Sequence, residues 1–138
     1  STNVCTPVLS VITSISLDHV RVLGSTLAQI AREKAGIIKP GRPIISGEVQ
    51  EEPAAVIEEV ARSRAAPLRR LGRDFGFGYN PGRFGPGEEH QPEVTVWTSE
   101  RTWPRCELGL LGRHQAANAS VAIACVEALG RLGWHLPD

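Results

Sequence analysis

The sequence has no methionine, only two lysines and few aromatic residues (5%). The missing methionine includes the initiator, and Ser1 leads almost directly into a strand-like run. The 138 residues are therefore expected to be an excised piece of something longer. Acidic and basic residues balance at 15 each, which leaves no general electrostatic attraction to nucleic acid or to an anionic membrane. No apolar run is long enough to span a bilayer, and no secretory signal opens the chain. The three cysteines, Cys5, Cys106 and Cys125, are odd in number and widely spaced. They form neither a metal-ligand nor a disulfide pattern, which points to a reduced, cytoplasmic setting. With lysine confined to Lys34 and Lys39 there is no Gly-Lys pair, so the phosphate loop G-x-x-x-x-G-K-[ST] is absent. A nucleotide-hydrolysing enzyme using this chain would need its phosphate cradle from elsewhere.

What remains is enough for one domain with one real core. The nearly continuous apolar run "VLSVITSI" (8–15) reads as a parallel strand covered on both faces. After the polar "SLDH", Ser25 is the expected N-cap of a short helix in "TLAQIAREKAGIIKPG" (26–41), with Gly36 as its left-handed stop. "RPIISGE" (42–48) is a second strand and "EEPAAVIEEVARSRAA" (51–66) a second helix, with acids early and arginines late as the helix dipole favours. "APLRRLG" is a third strand. Strand-then-helix units in succession predict an α/β fold, a mostly parallel sheet flanked by helices. Residues 72–92, dense in Gly and Pro, read as a long surface loop, and 93–99 with 101–108 as an antiparallel hairpin. "RHQAANASVAIACVEALGRLG" (113–133) has so few polar interruptions that it is expected to be a helix buried on most sides.

Three places could carry chemistry. Asp18 and His19 follow the first strand, where open α/β sheets bind ligands, and could serve a metal or phosphate. They could equally be a turn cap and an ordinary loop histidine. Lys34 continues the apolar stripe of Leu27, Ile30 and Ala31, where a core residue belongs. A lysine in the last helical turn suits the dipole and can snorkel to water, but that explains its place along the axis and not its face. An inward lysine needs an anionic partner, a neutral amine or covalent change, and a neutral amine reacts with carbon dioxide to give a carbamate. Asn118 is an amide on an apolar helix. It needs partners for donor and acceptor, either a neighbouring loop or the edge of a purine. Gln115 is a weaker candidate of the same kind.

Two segments together carry a resemblance: "TNVCTPVLSVITSISLDHVRVLGSTLAQIAREKAGIIKPGRPII" and "LGLLGRHQAANASVAIACVEAL". They resemble the folylpolyglutamate synthase/dihydrofolate synthase family of the Mur ligase superfamily, above all in the run "LDH…LG.T…IA.EKAGI.K". The resemblance implies part of a central ATPase domain across residues 1–138. The phosphate loop and a magnesium-binding glutamate would lie upstream, and a C-terminal domain downstream. It maps a Mg2+-binding histidine onto His19, a carbamylated metal-site lysine onto Lys34, and adenine contacts onto Asn118, with Gln115 and His114 nearby. The implied reaction consumes ATP. An acyl phosphate forms on a pteroate or folate carboxylate, and the amino group of L-glutamate displaces phosphate. Ser16 departs from the family, which often has glycine there. The piece by itself is expected to be inactive. A related amino-acid ligase of cell-wall synthesis and a non-catalytic α/β module are the alternative readings.

Overall fold

Strands β1 (Ser10–Ile12), β2 (Ile44–Ser46) and β3 (Leu68–Arg70) lie side by side in that order, all parallel. The computed structural model describes residues 2–16, 26–83, 85 and 90–134. The strands are shorter than the apolar runs that contain them, but their order and direction are those expected. In β2 every residue is buried, and the alternation of its side chains decides what lies on each face. Ile44 points into a cluster with Ile12, Ile30, Ala31 and Ile57, and Ile45 into a second one with Leu71, Phe75, Val121 and Ala124. Each isoleucine is fully buried, worth about 1.5–3 kcal/mol of transfer free energy. This one strand anchors helices on both sides of the sheet.

The first face is covered by α1 (Leu27–Lys34) and α2 (Glu51–Ser63). The N-cap of α1 is Thr26, not Ser25: the Thr26 hydroxyl accepts from the Gln29 N–H at 3.2 Å. Gly36 is not a left-handed stop either. The helix tightens into a 3-10 turn over Ala35–Ile37, and the left-handed glycine comes later, at Gly41. Gly36 is needed for closeness instead, since a Cβ there would lie 2.6 Å from the Asn3 side-chain nitrogen. At the end of α2 the Ala66 N–H bonds Ala61 O and the Ala65 N–H bonds Arg62 O. That is a Schellman closure, with Ala65 holding the left-handed position at φ 49°.

The expected loop over 72–92 contains a strand. β4 (Phe75–Asn80) pairs antiparallel with β5 (Glu93–Thr98), which pairs with the two-residue β6 (Cys106–Glu107). The hairpin is therefore correct but is only part of a three-stranded sheet. In "FGFGYN" the period of two is carried by Phe75, Phe77 and Tyr79, while glycines occupy the other face. Glycine density read as loop composition concealed that alternation.

Helix α3 (Arg113–Arg131) packs on both sheets through a single stripe: Ala116, Ser120, Val121, Ala124, Glu127 and Ala128. It is not buried on most sides, and Asn118 and Ala122 are exposed. Alanines make a helix apolar by composition at little cost when they face water, so a low polar count overstated its burial.

Candidate functional site

A cleft of about 720 Å³ opens at the carboxyl edge of the parallel sheet. Thr13 and Ser14 border it beyond β1, Gly47 and Val49 beyond β2, and Gly72 beyond β3. The opposite wall is α3, through Arg113, His114, Ala117, Asn118 and Val121, and β4 and β5 close it with Gly76, Phe77 and Trp97. This is where a parallel sheet leaves a crevice between strand ends and a crossing helix. Among the described residues none that lines it is acidic, and Arg113, held over the Phe77 ring at 5.1 Å, brings positive charge. The lining favours an anionic or electron-rich ligand.

Lys34 ends α1 half-buried, and its amine donates to Ser14 O at 3.4 Å in a solvent-exposed contact. The stripe of sealed core positions stops at Ile30 and Ala31, so Lys34 is not part of the sealed core. Nor does Lys34 cap its own helix. The cation on the carbonyls there is Arg64, whose guanidinium donates to Ala35 O, to Gly36 O at 3.2 Å and to Ile38 O. Lys34 turns instead to the carbonyl end of β1, at the rim of the cleft.

That strand end is held from beneath by Glu48, a carboxylate only 1% exposed. It accepts the Ile15 N–H at 2.6 Å and the Gln50 N–H at 2.8 Å, while the Gln50 amide donates to Ile15 O at 3.1 Å. Both carboxylate oxygens are thereby engaged, and the pair fixes the chain just before "SLDH". Sequence reasoning missed Glu48 and Gln50. The available signal was an acid closing the strand-like run "RPIISGE".

His114 and Asn118 both line the cleft, one turn apart on α3. Asn118 is exposed rather than buried, so it offers its amide to the cleft and not to a neighbouring loop. Gln115 is half-buried and does not line the cleft. Asp18 and His19 lie outside the described residues. Among the described residues no three His, Cys, Asp or Glu side chains come together as a metal site.

No family model matches the chain. It is 40% identical over 131 residues to the dihydrofolate synthase/folylpolyglutamate synthase of Bacillus subtilis, covering 95% of this chain and 29% of that relative. The folylpolyglutamate synthase structure from Thermotoga maritima superposes with a TM-score of 0.79 at 32% identity, over 99% of this chain and 28% of that one. A folylpolyglutamate synthase complex with AMPPCP and folate superposes at 0.84 and 31% identity, over 98% of this chain and 32% of that one. The family it matches is folylpolyglutamate/dihydrofolate synthase. The fold is that of one segment of these synthases, a parallel sheet between helices with an antiparallel sheet attached. The chain spans less than a third of the length of each of these three.

Proposed function

We propose that this chain is the nucleotide-facing part of the central domain of an ATP-dependent ligase that joins L-glutamate to dihydropteroate or a folate. The phosphate loop and the C-terminal domain would be contributed by flanking sequence of the whole protein. The observation that carries the reading is the cleft: it brings Asn118 and His114 of α3 opposite the carboxyl ends of β1 and β2. The matched synthase structure with AMPPCP and folate supports a nucleotide as its occupant.

In this reading the Asn118 carboxamide meets the adjacent donor and acceptor on the adenine edge, with His114 nearby, and Arg113 supplies positive charge beside it. Gln115 supports the same turn of α3 from outside the cleft. Lys34, carried to the strand end by α1, and His19, shortly after it in "SLDH", are the proposed magnesium ligands, Lys34 as its carbamate. Magnesium, when bound, would offset charge on the phosphoryl oxygens. The described residues supply Lys34 alone of the two, and its amine already faces the strand end that leads to His19. The folate carboxylate would attack the γ-phosphorus of ATP and release ADP. The glutamate amine would then attack the acyl carbon and release phosphate.

The test is glutamate-dependent phosphate release by the whole protein with dihydropteroate and ATP. Asn118→Ala is expected to raise the KM for ATP about tenfold, the loss of one paired carboxamide, with kcat little changed. Absence of glutamate-dependent turnover with every pteroate and folate would overturn the ligase reading. An unchanged KM would remove Asn118 from the nucleotide site.

A further inference from the structure

We propose that Trp97 is the stacking platform for the purine ring in this cleft, an extension that rests on the nucleotide reading above. Trp97 is a large aromatic left 47% exposed at the end of β5, and it lines the cleft with Asn118 and Arg113. Its position is built by its neighbour. Trp97 pairs across the sheet with Gly76 of the edge strand β4. A Cβ on Gly76 would fall 2.5 Å from the indole Cζ2 and 2.6 Å from Cε2. The indole therefore lies across bare backbone at a place where any other residue would push it away. Gly78, two residues on and on the same face, has nothing within 4 Å of its would-be Cβ, so the close approach is specific to Gly76.

The chemistry of the walls selects the ligand. A flat apolar ring surface, an exposed carboxamide and a guanidinium, with no carboxylate among the described lining residues, suit a planar heterocycle that carries negative charge elsewhere. A purine nucleotide has all three features: a face to stack, an edge to pair with an amide, and phosphates drawn toward Arg113. A cationic ligand would find no counter-charge among the described lining residues.

The test uses the whole protein with adenosine, which needs neither metal nor phosphate cradle, and 7,8-dihydropteroate as the competing planar ring. The readout is the indole N–H resonance of Trp97, identified by its loss in Trp97→Phe and distinguished from those of Trp103 and Trp134. Adenosine is expected to shift the Trp97 resonance. Trp97→Ala should weaken adenosine binding about tenfold, as loss of one base–aromatic stack does, and Trp97→Phe much less. Gly76→Ala, which leaves the indole in place chemically but displaces it, should weaken binding by a similar factor. Circular dichroism confirms that each variant folds. If adenosine shifts the Asn118 side-chain amide while Trp97 stays still and Trp97→Ala binds normally, the platform is overturned and the nucleotide reading survives. If dihydropteroate and not adenosine moves Trp97, both are overturned. The platform also falls if neither ring moves it at millimolar concentration.

Discussion

At the scale of single residues, the site is set by where charge and amide groups are aimed. Lys34 stands out because Arg64 already serves the carbonyls at the end of its helix, leaving the amine directed at Ser14 O. In the whole protein, Lys34→Ala is expected to abolish ligation, with partial rescue by millimolar acetate or formate if the carbamate is the working group. Phosphate-release rates check this, and undiminished activity without added carboxylate would contradict it. A second expectation concerns the thiols. Burial pushes the Cys125 thiol up from 9.0 to about 11, while Cys5 and Cys106 are exposed. At pH 8 a thiol-reactive dye should label Cys5 and Cys106 quickly and Cys125 only on unfolding. Between pH 9 and 11 the unfolded chain has lost its Cys125 proton while the folded chain keeps it. This thiol's contribution to stability is therefore full below pH 9 and is lost as pH rises toward 11, which urea melts across that range would record.

At the scale of elements, most of the fold was legible because periodicity and capping chemistry agree. The apolar stripe Ile30–Ala31, the acids opening α2 and the three short parallel strands all follow from spacing and charge. What was not legible came from residue types with two uses. Glycine marks loops, but in "FGFGYN" it fills the face of a strand on which the Trp97 indole rests. Alanine reads as core, but on α3 it also tolerates water. Gly36 reads as a helix stop, but it serves a close contact with Asn3. The end of α2 offers a direct check on capping. Ala65 occupies a left-handed position that costs an L-residue about 1–2 kcal/mol, offset in part by the greater chain entropy of glycine. Ala65→Gly is expected to stabilise the chain by about 0.5–1 kcal/mol, seen as a Tm raised by a few degrees. A lower Tm would mean that the Schellman closure is not formed in solution.

At the scale of the whole molecule, the two sheets are joined through α3, and the junction is polar as well as apolar. Glu127 is buried on the inner face of the helix. It accepts from Trp103 Nε1 at 2.8 Å and Thr98 Oγ1 at 2.9 Å, and pairs with Arg69 of β3 at 3.3 Å. One carboxylate thus ties the parallel sheet to the antiparallel one. In the sequence Glu127 was visible only as a polar interruption, because its partners come from segments far away along the chain. Glu127→Ala leaves Arg69 and the Trp103 N–H without it and is expected to cost about 3 kcal/mol, measured by urea denaturation. A loss below about 1 kcal/mol would show that the sheets are held by apolar contacts alone. The cleft depends on this junction, since α3 faces the parallel strand ends across it and the antiparallel sheet closes it.

The site was less legible than the fold. Asn118 and His114, singled out in the sequence, line the cleft, whereas Glu48, Gln50 and Trp97 were not singled out, because a side chain's aim into a shared crevice is a property of the assembled walls. No helix of the described residues is long and apolar enough to cross a membrane.

The central claim is that the crevice at the strand ends is an adenine-nucleotide site. Backbone amide mapping of the isotope-labelled whole protein during titration with ATP tests it most directly. The expected result is a set of saturable shifts confined to Gly47, Gly72, Gly76 and residues 113–118, abolished or strongly weakened in Asn118→Ala. Saturable shifts elsewhere on the surface, or none at millimolar ATP, would contradict it.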